Sequence, residues 1–343
     1  MTDKLANRRL KAGKLPSDLL ASFLSDLSSS DKRLLLGPAV GEDAACVSFG
    51  SSTLLAKSDP ITFATDRIGW YAIQVNANDI AACGGTPKWF LATLLLPENE
   101  PASTARDIFA QIHKAATELG IIIIGGHTEV TIGLPRPIIA GAMLGEAAAS
   151  ETVKTSTATP GDDIILTSGI AIEGTAIIAR ESKAELLSAG LSESEISKAA
   201  NFLDSPGISV VKSARIATSI GYVTAMHDPT EGGLAGALDE LARASNIGII
   251  INTDRVNIYP ETRSICSALK LDPWGLIASG ALLITTNPSG SQKVVEALNN
   301  EGIPADVIGR ITQSDKGLTR TSNGKIEPIP TFERDEIARF YST

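Results

Sequence analysis

The sequence alternates between strand-like and helix-like segments, and this alternation stops once and then restarts, which limits the folds that the chain can adopt. The break falls at KTSTATPGDD, residues 154–163, where small, polar and turn-forming residues follow a run of alanines. The chain has 343 residues, which is long for a single hydrophobic core. We therefore predict two domains, an N-terminal one of residues 1–153 and a C-terminal one of residues 154–343.

Both halves mix strands with helices, which indicates the α+β class. In the first half, KWFLATLLLP and IIIIGG are typical of buried strands, and residues 69–83 are predicted to form a helix that Gly84 and Gly85 end. In the second half, the strands DIILTSG and YVTAM alternate with helices predicted at about 173–203, at 207–220 and at TEGGLAGALDELARA.

Composition narrows the classes of partner. The formal net charge is −9, and binding to a nucleic-acid backbone needs clustered Lys and Arg, so no nucleic-acid partner is expected. The sequence contains no run of about 18 apolar residues, so no membrane span is predicted. The scattered Cys46, Cys83 and Cys266 fit neither a disulfide framework nor a zinc site. No apolar segment of signal-peptide length follows the basic N-terminus, so we predict a cytoplasmic protein.

The stretch VNANDIAACGGTP, residues 75–87, places Asn76 and Asp79 inside an Ala/Ile-rich helix that otherwise reads as buried. Buried amides and carboxylates are normally hydrogen-bonded, paired or bound to a cation. Two interpretations follow. The polar face of the helix meets solvent or neighbouring backbone, or it belongs to a metal or phosphate site.

Four further motifs frame acidic or polar residues with glycine and other small residues. Carboxylates of this kind are what Mg²⁺ requires, and adjacent glycines let the backbone approach phosphate. Each motif alone has an ordinary interpretation, since an Asp before Pro is typical of a turn and a His after a buried strand is typical of a structural hydrogen bond. They are GEDAA (Asp43), KSDP (Asp59), GGHTE (Gly126, His127, Thr128) and MHDPTEGG (Asp228, Thr230).

The order of these motifs resembles that of the PurM-like ATP-binding superfamily, which includes aminoimidazole ribonucleotide synthetase, selenophosphate synthetase, thiamine-monophosphate kinase and the hydrogenase-maturation protein HypE. The resemblance extends from VGEDAA to VIGRIT, and the second-half motif HDPTEGGLAGALDELARASNIGI is most similar to HypE. It implies a two-domain fold whose N-terminal domain dimerises through its β-sheet and whose C-terminal domain is an α/β sandwich. It also implies ATP and Mg²⁺ as cofactors, with ATP beside the interface of a homodimer.

The resemblance assigns roles to individual residues. The implied metal ligands are Asp43, Asp59 and Asp79. The implied catalytic residues are Asp43, Asp228 and His127. The implied nucleotide contacts are Asn76, Gly126, Thr128, Thr230 and Lys14. Lys14 and Lys11 lie in LKAGKLP, a segment that covers the phosphates in several relatives, and a solvated basic tail is the alternative for both.

The implied reaction is transfer of the γ-phosphoryl group of ATP to an oxygen of a small-molecule or carboxamide acceptor. The sequence also departs from HypE, since it ends in EIARFYST without the cysteine that carries the carbamoyl group, and it reads ASGA at residues 278–281 where HypE has Ala-Asn-Glu-Gly. Two alternatives therefore stay open. One is a nucleotide-binding partner or regulator with reduced catalysis, and the other is a HypE-type maturation factor despite the missing cysteine.

Overall fold

The computed structural model describes residues 14–25, 27, 31–62, 66–148, 151–322 and 324–342. The chain divides into two compact units. The N-terminal unit consists of Lys32–Gly37 and Asp43–Thr152, and the C-terminal unit consists of Pro38–Glu42, Val153–Thr343 and the described residues up to Asp31. The described residues between Lys14 and Asp31 thus belong to the unit that the second half of the chain forms, a feature that the sequence pattern does not indicate.

The N-terminal unit is a mixed sheet with two long helices. The sheet order is β1-β2-β3-β6-β4-β5, and its pairs are antiparallel except for the parallel pair β4 and β5. Its strands are β1 (Leu34–Leu36), β2 (Ala45–Phe49), β3 (Ser52–Ile61), β4 (Thr86–Pro97), β5 (Ile122–Thr131) and β6 (Ile138–Ala148). Its helices are α2 (Ile68–Ala82) and α3 (Ala102–Leu119), and helix α1 (Ser17–Leu24) precedes them in the chain as part of the C-terminal unit.

Helix α2 lies where the sequence predicts a buried helix, and nearly all of its residues are buried. It packs against β3, β6 and α3. Gly84, in the left-handed region with φ of +77°, follows the helix and turns the chain into β4. A helix buried on all sides leaves no solvent-facing side for Asn76 and Asp79, so their partners must come from the protein or from a ligand.

Strand β5 differs from its predicted extent. The pattern predicts that the strand ends near Gly126 and that His127 and Thr128 follow it, but the strand continues to Thr131 and contains the whole GGHTE motif. Paired to β4 on one side, β5 is an edge strand. Its large apolar side chains, among them Ile122, Ile124 and Val130, are exposed. An exposed apolar edge is a surface that another chain can cover.

The C-terminal unit contains a seven-stranded sheet in the order β13-β12-β9-β11-β7-β10-β8. Neighbouring strands are antiparallel except for β9 and β12. The strands are β7 (Asp163–Thr167), β8 (Val223–His227), β9 (Gly248–Asn252), β10 (Leu283–Thr286), β11 (Ala305–Thr312), β12 (Leu318–Ser322) and β13 (Lys325–Pro328). The helices are α4 (Ile172–Glu181), α5 (Lys183–Ser188), α6 (Glu193–Ala200), α7 (Val211–Ile220), α8 (Gly233–Ser245), α9 (Pro260–Leu269), α10 (Pro288–Asn300) and α11 (Glu336–Phe340).

The helix predicted at about 173–203 is divided into α4, α5 and α6. Gly190, with φ of +93°, breaks it before α6, and Ser192 starts α6 with a capping box in which its side chain and that of Glu195 exchange hydrogen bonds with each other's backbone. Both features are strong local signals that override helix propensity. The core of this unit lies between the sheet and α8, whose Leu234, Leu238 and Leu241 are buried. Among the described residues, no helix has the length and apolarity needed to cross a membrane.

Candidate functional site

Four charged side chains of the N-terminal unit form a cluster, which we call the carboxylate cluster: Asp43, Lys57, Asp59 and Asp79. The Lys57 ammonium lies 2.9 Å from Asp79 Oδ1 and 3.4 Å from Asp59 Oδ2. Lys57 and Asp59 are two residues apart on β3, so both side chains leave the same face of the sheet, and Asp79 on α2 meets them there. The structure therefore brings together the three aspartates predicted to bind metal, since Asp43 acts electrostatically on both Lys57 and Asp79.

Charges in this cluster are unbalanced, with three carboxyl groups and one ammonium group. Burial and the neighbouring Asp59 and Asp43 raise the pKa of Asp79 to about 8, although Lys57 lowers it. Burial lowers the pKa of Lys57, but the three carboxyl groups outweigh burial and raise it well above its usual value. In both cases the excess negative charge of the cluster raises the pKa, and such a charge favours any bound positive charge, whether a proton or a cation.

Asn76 holds the backbone on which this cluster is built. Its side-chain oxygen accepts a hydrogen bond from Asp59 N at 3.0 Å, and its Nδ2 donates to Asp59 O at 3.3 Å and to Ala72 O at 2.9 Å. Helix α2 is thereby fastened to β3. Gly141 on the neighbouring strand permits this, because a Cβ there would collide with the Asn76 amide and with Phe90. The side chain is fully buried, so a direct contact between Asn76 and nucleotide stays a prediction.

The GGHTE residues lie elsewhere on the same sheet. Asp59 pairs with Gly141, Gly141 with Ala92, and Ala92 with Gly126. Asp59 and Gly126 thus occupy one cross-strand row, three strand spacings or about 14 Å apart. Within one chain, the structure does not bring GGHTE to the carboxylate cluster.

Within that motif, Gly126 has a structural reason to be glycine. Its φ is +150°, and a Cβ there would collide with the backbone carbonyl of Ala92. His127 Nε2 lies 2.9 Å from Glu129 Oε2, and both side chains are exposed. The catalytic role predicted for His127 and the nucleotide contacts predicted for Gly126 and Thr128 stay predictions.

The C-terminal unit contains a second polar cluster around Lys14. Its ammonium donates to Thr230 Oγ1 at 3.0 Å and to Glu240 Oε1 at 3.3 Å. His227 Nε2 lies 2.8 Å from the other oxygen of Glu240. Burial raises the pKa of Glu240, but Lys14 and His227 outweigh it and lower the value to about 2. The structure thus joins two predicted nucleotide contacts, Lys14 and Thr230, whereas Lys11 lies outside the described residues.

Asp228 follows directly after His227 at the end of β8, and its side chain is buried. The turn after it, which contains Thr230, is held from a distant part of the sequence. Asp335 accepts hydrogen bonds from the backbone N–H groups of Gly232 at 2.6 Å and Ile337 at 2.7 Å. It also accepts one from Ile277 N at 3.4 Å. Asp335 therefore positions the turn that carries Thr230.

Sequence reasoning missed four residues of these clusters and of the turn beside them: Lys57, His227, Glu240 and Asp335. A signal existed for Lys57, because the spacing of Lys57 and Asp59 in a strand puts both on one face. Glu240 lies in the amphipathic helix α8, where an acidic residue is typical of a solvated face. Asp335 has a local signal only, as the side-chain cap of α11.

Comparison with known proteins agrees with this fold. The family models for the N-terminal and C-terminal domains of AIR synthase related protein match residues 41–147 and 159–320. The thiamine-monophosphate kinase of Pyrococcus horikoshii is 30% identical, over 85% of this chain and 89% of its own. The carbamoyl dehydratase HypE of Rhizobium leguminosarum bv. viciae is 26% identical, over 80% of this chain and 78% of its own.

Solved structures give the same architecture. A crystal structure of the hydrogenase maturation protein HypE in complex with ATP superposes with a TM-score of 0.71 at 22% sequence identity. The match covers 93% of this chain and 91% of the other. The expected two-domain PurM-like α+β fold is confirmed.

Proposed function

We propose, from the premise that this chain belongs to the AIR synthase related family, that it is an ATP- and Mg²⁺-dependent enzyme. Its reaction is transfer of the γ-phosphoryl group of ATP to an oxygen of a small-molecule or carboxamide acceptor. The observation that carries this proposal is the carboxylate cluster, which gathers three aspartates of separate motifs at one buried place. The similarity to a thiamine-monophosphate kinase and to a HypE structure in complex with ATP supports the choice of nucleotide.

The carboxylate cluster fits a hard divalent cation. Besides the lysine, it consists of carboxylate oxygens, the ligands that Mg²⁺ prefers. Asp79 Oδ2 is buried, and within the described part of the chain it has no hydrogen-bond partner. A buried carboxylate oxygen is costly unless a donor or a cation reaches it. Asp43, Asp59 and Asp79 would hold the Mg²⁺ ion, which would neutralise negative charge on the phosphate oxygens of the nucleotide.

The other residues of the clusters position neighbouring groups and neutralise negative charge. Asn76 holds the backbone of Asp59 against α2, so the backbone that carries the Asp59 carboxylate is fixed in position. In the C-terminal unit, Lys14 and Thr230 offer an ammonium and a hydroxyl group to a phosphate, and Glu240 holds the ammonium beside that hydroxyl. Catalysis of phosphoryl transfer consists mainly of such positioning and charge neutralisation, which suits this set of residues.

The acceptor class follows from what the relatives' names have in common. One name refers to a carbamoyl group and the other to a monophosphate, and each of these groups presents an oxygen that can attack phosphorus. We infer an acceptor oxygen of this kind, on a small molecule or a carboxamide. We also infer a homodimer working in the cytoplasm, and the exposed apolar edge strand β5 supports the dimer.

Release of ADP from Mg-ATP, with and without a pool of cell metabolites, tests the proposal. Wild-type protein should release ADP faster with the correct acceptor, and Asp79→Asn should abolish the release because a metal ligand is lost. Asp107→Asn is the control, since Asp107 is exposed on α3 and lies outside the cluster. Calorimetric binding of Mg-ATP without ADP release under any condition would refute the enzyme and favour the nucleotide-binding regulator.

A further inference from the structure

Lys57 stands where a cation bound by Asp59 and Asp79 would stand. Its ammonium lies 2.9 Å from one carboxylate and 3.4 Å from the other. A Mg²⁺ ion bound to the same oxygens would lie about 2.0–2.1 Å from each. The ammonium and the metal would then be too close to coexist, both because their volumes overlap and because their charges repel at short range.

The lysine is held in this place by its surroundings. Its side chain is only 21% exposed and that of Asp79 only 5% exposed, so little water screens the attraction between them. Asp59, with 34% exposure, is the more open partner. The side chain starts on β3 in the middle of the sheet, with β6 beside it. An ammonium on a flexible four-carbon stem can nevertheless swing away when another cation arrives.

We propose that Lys57 is a built-in counter-cation that competes with the divalent metal for Asp59 and Asp79. The lysine pairs with one oxygen of each carboxylate when no metal is present and must leave both when metal binds. Phosphate oxygens of a nucleotide give the displaced ammonium a new partner. Metal binding by the N-terminal unit is therefore weak without nucleotide and is strengthened by it.

This inference rests on the metal site of the proposed function, but it does not depend on turnover. Calorimetry with Mn²⁺ alone, in the absence of nucleotide, is the test. Lys57→Met removes the competitor and keeps the length of the stem, so its Mn²⁺ affinity should exceed that of the wild type by about tenfold or more. Lys57→Arg keeps the charge and should bind Mn²⁺ no more tightly than the wild type.

Lys88→Met is the matched control. Lys88 lies in the same unit and pairs with a carboxylate, Glu146, at 3.4 Å, but this pair is exposed and outside the carboxylate cluster. Its Mn²⁺ affinity should equal that of the wild type. If Lys57→Met does not fold, Lys57→Gln replaces it, since its amide still donates a hydrogen bond to Asp79.

Two results would overturn the proposal. Mn²⁺ affinity that is unchanged or reduced in the folded Lys57 variants would show that the lysine supports the metal or ignores it. Mn²⁺ binding that is undetectable in the wild type and equally undetectable in the variants would show that no competition exists. Neither result touches the ADP-release assay, so failure of this inference and failure of the proposed function are distinguishable.

Discussion

Replacement of Asn76 by alanine should destabilise the N-terminal unit strongly without altering any charge. The side chain is fully buried and makes three hydrogen bonds to backbone, two to Asp59 and one to Ala72. Each such bond contributes about 1 kcal/mol net, so their loss costs about 3 kcal/mol. Alanine recovers about 0.5 kcal/mol through its higher helix propensity. The expected decrease in the free energy of unfolding is therefore about 2.5 kcal/mol.

Urea denaturation followed by tryptophan fluorescence measures this change. Trp70 and Trp89 lie in the N-terminal unit and report its unfolding, whereas Trp274 lies in the C-terminal unit. Double replacement of Trp274 and Asn76, compared with Trp274 alone, isolates the signal of the affected unit. Asn300→Ala is the control, because Asn300 is exposed at the end of α10 and should shift stability by less than about 0.5 kcal/mol.

Because Asn76 joins α2 to β3 beside the carboxylate cluster, its replacement should have a second effect. The variant should also weaken Mn²⁺ binding, because Asp59 loses the hydrogen bonds that fix its backbone. A loss of stability below about 1 kcal/mol would refute the reasoning, since it would mean that the three bonds have no net effect. Unchanged Mn²⁺ affinity in a destabilised variant would separate the structural role of Asn76 from the metal site.

Four further outcomes are expected. Burial raises the pKa of Glu240 but Lys14 and His227 lower it to about 2, against 4.5 when unfolded, so its stabilisation is complete above about pH 5 and is lost as pH falls toward 2. Urea titrations at pH 3 and pH 6 should differ less for Glu240→Gln than for the wild type, and an equal difference would contradict this. Burial, opposed by Ser279, raises the pKa of Glu173 to about 8, so it destabilises the fold as pH rises from 4.5 to 8, and Glu173→Gln should remove that decline in thermal unfolding scans. Light scattering should give twice the chain mass of 35.8 kDa, and Val130→Lys on the exposed edge should give the monomer. Intact-mass spectrometry after incubation with ATP, carbamoyl phosphate and a carbamoyl-transferring partner should show no carbamoyl or cyano adduct, because all three cysteines are buried. An adduct on any of them would favour hydrogenase maturation over the proposed function.

The sequence predicts the aspartates of the carboxylate cluster but not its lysine. Motif order indicates Asp43, Asp59 and Asp79 as a set, and the structure does place these three together. The sequence cannot show that Lys57 lies among them, because a lysine two residues before an aspartate is equally typical of a solvated strand face. Only the packing of α2 on β3 decides between the two interpretations, and that packing depends on residues far apart in the chain.

The burial and the end of strand β5 are not predicted correctly from the sequence. A run of four isoleucines predicts a buried strand, yet Ile122, Ile123 and Ile124 are exposed at the sheet edge. Hydrophobicity predicts that a surface will be covered, but it does not say whether the cover is another part of the same chain. The end of the strand is also hidden, because the two glycines of GGHTE read as a break although they continue pairing with β4.

The three hydrogen bonds of Asp335 also bear on how the protein acquires its shape during synthesis. Asp335 accepts a hydrogen bond from the N–H of Gly232, which is synthesised 103 residues earlier. The turn that carries Thr230 therefore lacks these hydrogen bonds while the ribosome adds five strands of the sheet and two further helices after α8. Nascent chains arrested before Asp335 emerges should contain a folded N-terminal unit but an unformed Thr230 turn.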